Sequence, residues 1–166
     1  MKNKEKCFVN KTLNSKTSFP KNLQENIQYI SSKMTLFIRA MMDSGEYNEY
    51  DYGMVVDIFQ LMPQHYIQFI DSSICDIYYF GTSEVTSEER YELLKKYDTP
   101  KDYTYYKPEE ENKKDCADIV AISKHLKEQC RKYDLPYYDT SHDREQVLKS
   151  FLDFLKKGIK TLLNEN

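Results

Sequence analysis

The feature that most constrains the fold of this chain is the alternation of short apolar runs with long amphipathic stretches. Met54–Val56 is a continuous apolar run ending at Asp57, as expected of a strand buried on both faces. Ile74–Phe80 and Leu135–Tyr138 predict two further strands. Strands separated by helices at this spacing form βαβ units, so we expect a parallel sheet with helices on both faces. The sequence therefore predicts an α/β three-layer sandwich, with Met54–Asp57 and Ile74–Phe80 as parallel central strands.

Local signals place helices between these strands. Apolar residues at steps of three and four (Ile27, Ile30, Met34, Phe37, Met41) predict one stripe of a long amphipathic helix. Pro20 precedes it and Gly45 follows it, as is typical of helix ends. The other predicted helices are a short one opened by Pro63, one from the capping box Thr86–Glu89 to about Tyr97, the longest one after Pro108, and a last one capped by Thr140 or Ser141.

Composition excludes several classes of protein. The 166 residues fit one domain, 1–166, and the net charge of −3 gives no reason to expect nucleic acid or an anionic membrane as a partner. No apolar run reaches the roughly 20 residues that cross a bilayer, and the N-terminus has no apolar signal segment. We therefore expect a cytoplasmic protein. The four cysteines form no C-x-x-C pair, so no resident metal site is expected.

A phosphate-binding loop is the strongest candidate for chemistry. The apolar run Cys7–Val9 precedes Lys16-Thr17, which is the order of strand and G-x-x-x-x-G-K-[ST] in a P-loop. Asn10 and Ser15 stand at the glycine positions, where a Cβ hinders close approach of the backbone to phosphate. Lys16 and Thr17 are therefore candidate contacts to phosphate and magnesium in a degenerate loop. The alternative is an N-terminal tail in which this pair is accidental.

Three segments resemble P-loop small-molecule kinases of bacteria, which are related to adenylate kinases. They are VVDIFQLMPQHY, IYYFGTSEVTSEERYELLKKYDTPKDYT and SKHLKEQCRKYDLPYYDTSHDREQVL. The resemblance covers about residues 50–160. It implies a P-loop NTPase-like fold with a lid-like region over about 82–112, ATP and Mg²⁺ as cofactors, and a nucleotide or other small molecule as phosphoryl acceptor. Lys6–Val9 would then be the central strand of the sheet.

The same resemblance implies roles for individual residues. Asp57 stands where such kinases keep an acid near magnesium or the acceptor, and Arg90 is a lid cation that neutralises the transferring phosphate. Asp139, Thr140 and Ser141 form the loop that contacts adenine. Each residue also has a structural alternative. Asp57 can cap the next turn, Arg90 can lie on a solvated helix face, and the 139–141 loop can cap the last helix.

The leading hypothesis is a nucleotide-binding protein that transfers the γ-phosphoryl group of ATP to a nucleotide or other small molecule. Because the P-loop glycines are missing, we expect weak ATP affinity, and a degenerate member that no longer transfers phosphate fits the same residues. The alternative is a non-enzymatic regulatory or interaction protein built on the same scaffold, with a homodimer as one form.

Overall fold

A computed structural model describes residues 21–44, 55–58, 61–73 and 75–164 of the chain. This part is mostly helical, with one two-stranded sheet. The elements, in order, are α1 (Lys21–Ser44), α2 (Pro63–Phe69), β1 (Tyr79–Gly81), α3 (Ser87–Tyr97), α4 (Glu109–Tyr133), β2 (Tyr137–Asp139) and α5 (Arg144–Asn164). The two strands are parallel, and their register pairs Tyr79 with Tyr137, Phe80 with Tyr138 and Gly81 with Asp139.

The predicted three-layer sandwich of P-loop NTPase type is wrong. Residues 55–58 form no regular secondary structure, and Val55 is 97% exposed, so the described part of Met54–Asp57 is not a strand. A run of three apolar residues is too short to distinguish a buried strand from an irregular segment. Of the described part of the predicted strand Ile74–Phe80, only Tyr79 and Phe80 lie in a strand, where they begin β1. Lys6–Val9, Lys16 and Thr17 lie outside the described residues.

The helix predictions are confirmed where the local signals are strongest. The helix α2 begins at Pro63, and α4 follows Pro108 and is the longest described helix. In the capping box of α3, the N–H of Glu89 donates to Thr86 Oγ1 at 3.1 Å and the N–H of Thr86 donates to Glu89 Oε2 at 2.7 Å. These reciprocal bonds satisfy two of the free N–H groups at the helix start.

The cap of α5 differs from the prediction. The N–H of Gln146 donates to Asp143 Oδ1 at 3.0 Å, so Asp143 caps the helix. Thr140 and Ser141, the predicted caps, point instead toward the end of β1 and the Asp139 carboxylate. The loop after β2 is therefore held by the sheet and not by the helix that follows it.

The buried face of α1 also differs from the predicted stripe. Ile27 is buried, but Ile30 and Phe37 are exposed, whereas Ser31 and Thr35 have no exposed surface. The reason is the approach of α2, because Ser31 Oγ accepts a hydrogen bond from the N–H of Met62 at 2.7 Å. Small polar side chains allow this close approach and satisfy a free N–H group at the start of α2. Apolar periodicity alone does not reveal such a contact.

The sheet has a different neighbour on each face. Tyr79 is buried in a cluster with Ile122, Leu126 and Cys130 of α4. Phe80 points the other way, and its ring lies 5.0 Å from that of Phe151 on α5. Successive side chains of a strand alternate between faces, so even three residues are enough to join the two layers. Because β1 and β2 are parallel, their carboxyl ends meet at one edge of the sheet.

A glycine inside α5 offers a test of the helical, solvent-exposed placement of this part of the chain. A Cβ added at the exposed residue Gly158 would meet no atom within 4 Å. We expect Gly158→Ala to raise the free energy of unfolding by about 0.5–1 kcal/mol, because alanine loses less backbone entropy than glycine in a helix. Urea denaturation measures the change. The matched control is Ala40→Gly at an exposed position of α1, which should lower stability by a similar amount. A loss of stability in Gly158→Ala would contradict the exposed helical placement.

Candidate functional site at the carboxyl ends of the strands

The site lies where β1 and β2 end side by side. Gly81 O accepts hydrogen bonds from the N–H of Thr140 at 2.7 Å and from Thr140 Oγ1 at 2.9 Å. This pair of bonds fixes the loop after β2 against the end of β1. Thr82 and Ser83 follow β1, so the two loops place hydroxyl groups at the same edge. Ligands of parallel sheets bind outside this edge, which makes it the first candidate site.

The carboxylate of Asp139 organises this edge. Its Oδ2 accepts from the N–H of Ser83 at 3.3 Å and from Ser83 Oγ, and its Oδ1 accepts from the N–H of Ser141 at 3.0 Å and from Ser141 Oγ. Lys127 Nζ of α4 lies 3.7 Å from Oδ2. Both serines are buried. We call these four residues the Asp139 network.

The hydrogen bonds keep Asp139 ionised. Burial disfavours its charged form and would raise its pKa, but the bonds from Ser141 and Ser83 outweigh this effect and hold the pKa below its ordinary value. A depressed folded-state pKa means that the carboxylate contributes stability above its unfolded pKa, about 3.9. That contribution is lost as the pH falls through the lower folded value. The Asp139 network is therefore fully formed at neutral pH.

Ionisable side chains lie on the solvent side of this network. Lys127 Nζ lies 2.7 Å from Glu84 Oε1, and His142 Nε2 lies 3.9 Å from Glu84 Oε2. The hydrogen bond with Glu84 raises the pKa of Lys127, so the ammonium group stays charged. All three side chains are exposed. A cation is therefore available to solvent next to the buried hydroxyl groups.

The structure separates the residues that the sequence suggested. Asp139, Thr140 and Ser141 meet at the strand ends, but Asp57 lies on the exposed segment 55–58. Arg90 lies on α3, and its Nε is buried and has no hydrogen-bond partner within the described part of the chain. Its positive charge acts on Cys116 of α4, where it opposes the rise in thiol pKa that burial causes.

Three residues of the site were missed from the sequence: Ser83, Glu84 and Lys127. A signal for Ser83 exists, because each strand is followed by the same dipeptide, Thr82-Ser83 after β1 and Thr140-Ser141 after β2. Parallel strands of equal length bring such repeats together. Nothing in the local sequence marks Lys127, since it is one of many lysines on α4. Its role depends on the packing of α4 beside the sheet.

The described side chains form no cluster of metal ligands. Among residues 21–44, 55–58, 61–73 and 75–164, no group of three or more histidine, cysteine, aspartate or glutamate side chains is placed to hold a metal. We derive no catalytic step through a protein-held metal.

Comparisons with known proteins identify no family for this chain. No protein-family model, no curated protein and no solved structure matches the chain. Of the helices that the structure describes, none is both long and apolar enough to cross a bilayer. Function is therefore argued from the geometry of the site and from the sequence segments themselves.

Proposed function

We propose that the protein binds a nucleotide, ATP in the first instance, at the carboxyl ends of β1 and β2. One observation carries this proposal. The loop Asp139–Ser141, which the sequence resemblance assigns to the nucleotide, lies at the edge where parallel sheets bind ligands. The hydrogen bonds of Thr140 to Gly81 hold it there before any ligand arrives. We further propose a cytoplasmic location, in keeping with the sequence.

The groups around this edge suit a phosphorylated ligand. Lys127 offers an exposed ammonium group, and α5 begins at Arg144, five residues after the end of β2. Arg144 favours an anion at this position, whereas the start of α5 already has a carboxylate, because the N–H of Gln146 donates to Asp143. Ser83 and Ser141 are buried and already bonded to Asp139, so they position the loop without contacting the ligand. The phosphate contacts fall to the exposed residues.

Transfer of the γ-phosphoryl group is the stronger form of the proposal. It would place Lys16 and Thr17 on the phosphates of Mg²⁺-bound ATP, with Asp57 and Arg90 near the transferring group. Neither Asp57 nor Arg90 is hydrogen-bonded or ion-paired to Asp139, the residue at the centre of the Asp139 network. We therefore propose binding as the activity and derive no transfer step. Magnesium would arrive with the nucleotide.

A chemical-shift titration with ATP and Mg²⁺ tests the proposal. We expect a Kd nearer 1 mM than 1 µM, since binding competes with the ion pair of Lys127 and Glu84. The shifts should fall on amides 82–84 and 139–144. Lys127→Met should weaken binding several-fold, and Lys124→Met, an exposed neighbour on the same helix, should not. Absent shifts at these amides would overturn the proposal, and phosphorus NMR in the same samples reports any transfer.

A second function is favoured by a different observation. An exposed, tyrosine-rich loop between α3 and α4 is the kind of surface that protein interactions use. It supports the alternative of a non-enzymatic interaction protein, and the two activities are compatible because they use different surfaces.

A further inference from the structure

The helix α5 is longer than the sheet that it packs against. Its 21 residues span about 31 Å, whereas each three-residue strand spans about 10 Å. Phe151 lies at the centre of the contact, with its ring 5.0 Å from that of Phe80 and 5.2 Å from that of Tyr138. Of the helices and strands that the structure describes, only β2 brings its Cα atoms within 8 Å of those of α5. Much of the surface of α5 is therefore left uncovered by these elements.

Two leucines of α5 lie beside this contact and face solvent. Leu148 and Leu152 are 37% and 52% exposed. They are one turn apart on the same face, about 100° around the helix from Val147 and Phe151, which are partly buried. The sheet therefore covers one half of the apolar side of α5 and leaves this row of leucines open.

The row of leucines ends in an acid on one side and a base on the other. Glu145 precedes Leu148 by three residues and Lys156 follows Leu152 by four, so all four side chains share one face of the helix. Both charged side chains are exposed, and within the described residues neither has an ion-pair partner. We call these four residues the α5 strip. It is negative at its start, apolar in the middle and positive at its end.

Such a strip is complementary to a second copy of itself that runs in the opposite direction. A two-fold axis near residue 150 brings Leu148 opposite Leu152 of the second copy, because these positions lie equally far on either side of it. The same axis brings Glu145 opposite Lys156 of the second copy, since one precedes residue 150 by five positions and the other follows it by six. A parallel copy would set like charges against each other, which is unfavourable.

We propose that the chain forms a homodimer in which the α5 strips of two copies pack antiparallel. Leu148 and Leu152 form the apolar centre of the interface, and each is opposed by the other leucine of the second copy. At each end of this centre, Glu145 of one copy pairs with Lys156 of the other. The interface is isologous, so every contact occurs twice. Because the strip is short, the dimer is weak and dissociates on dilution.

A lipid surface is the other occupant that suits an amphipathic helix, and α5 carries five basic and two acidic residues. Two observations favour the second copy. Glu145 ends the α5 strip with a negative charge that an anionic membrane would repel, and the whole chain has a net charge of −3. Phe151 is already packed on the sheet, so α5 cannot lay its full apolar side into a bilayer.

Sedimentation velocity of the purified full chain tests the inference. Between about 1 and 500 µM we expect the mass to rise from that of one chain to that of two, with a Kd on the order of tens of micromolar. Leu152→Glu should weaken the dimer at least about tenfold, because each dimer would bury two unpaired carboxylates. Leu36→Glu, at a leucine of α1 that is 50% exposed, is the matched control and should leave the Kd unchanged. A wild-type chain that stays monomeric throughout this range would overturn the inference.

Exchange of the two charges tests the direction of the helices. Glu145→Lys and Lys156→Glu should each weaken the dimer several-fold, because each creates two contacts between like charges. The double variant Glu145→Lys, Lys156→Glu should recover the wild-type Kd within about twofold. This recovery separates the interface from any general effect of one substitution. Equal Kd values for the wild-type chain and both single variants would refute the antiparallel packing.

Cosedimentation with lipid vesicles tests the other occupant. We expect the wild-type chain to bind vesicles of phosphatidylcholine and phosphatidylserine no better than vesicles of phosphatidylcholine alone. Binding of the monomer to the anionic vesicles that is lost in Leu152→Glu would assign the α5 strip to a membrane and overturn the inference. All these measurements are made without nucleotide, so their outcome does not depend on the site at the strand ends.

Discussion

Asp139→Ala is expected to lower the free energy of unfolding by about 3–5 kcal/mol, the largest loss we expect from a single side chain here. The carboxylate accepts four hydrogen bonds from Ser83 and Ser141, and both serines are buried. Alanine would remove the acceptor of all four bonds, and among these donors Ser141 Oγ would keep Thr82 Oγ1 at 3.4 Å. Each group left unsatisfied costs about 1–3 kcal/mol. Urea denaturation followed by circular dichroism measures the loss. Because domains are stable by only about 5–15 kcal/mol, this loss is a large share of the total stability.

Two controls separate the Asp139 network from the general effect of removing an acid. Asp153→Ala, at an exposed position of α5, should change stability by less than about 0.5 kcal/mol. Asp139→Asn keeps the shape and loses the charge. The wild-type chain should lose stability as the pH falls below about 4, because the folded pKa of Asp139 is depressed. The asparagine variant should lack that part of the pH dependence. Equal losses for Asp139→Ala and Asp153→Ala would contradict the role of the network.

Local signals predicted the helices, whereas long-range contacts decided the sheet. Three local signals act within one turn, so the sequence reveals them directly: the capping box Thr86–Glu89, Pro63 at the start of α2 and Pro108 before α4. The prediction of a strand at Met54–Asp57 was based on three apolar residues. In the structure no described element covers Val55. Whether a short apolar run becomes a strand depends on a partner elsewhere in the chain, which periodicity does not identify.

The candidate site was predictable in part for the same reason. Asp139–Ser141 could be proposed from the sequence because the loop follows the predicted strand Leu135–Tyr138, and ligands of open sheets bind beyond such strand ends. Lys127 could not be found, because its contact with Asp139 requires α4 to pack beside β2. Arg90 was interpreted as a lid cation from its place after the glycine turn. In the fold its Nε is buried, and its charge acts on the thiol of Cys116 on α4.

Gly81→Ala is expected to lower the free energy of unfolding by about 2 kcal/mol. The expected loss of stability is steric, because the backbone of Gly81 does not have the positive φ that would itself require glycine. A Cβ at this position would lie 2.3 Å from the Tyr137 hydroxyl oxygen and 3.1 Å from Ser123 Cβ. The Tyr137 ring would have to leave its place between the sheet and α4, and overpacking of this kind costs about 1–3 kcal/mol. Thermal and urea denaturation both report the change.

A double-mutant cycle identifies the contact responsible. Tyr137→Phe removes the oxygen that the new Cβ would strike, and the nearest remaining ring atom, Cζ, is 3.0 Å away. The Gly81→Ala, Tyr137→Phe variant should therefore recover about half or more of the lost stability, a coupling of roughly 1 kcal/mol between the two positions. Strictly additive losses would mean that the alanine acts elsewhere. In that case the close packing of Tyr137 over the end of β1 would be refuted.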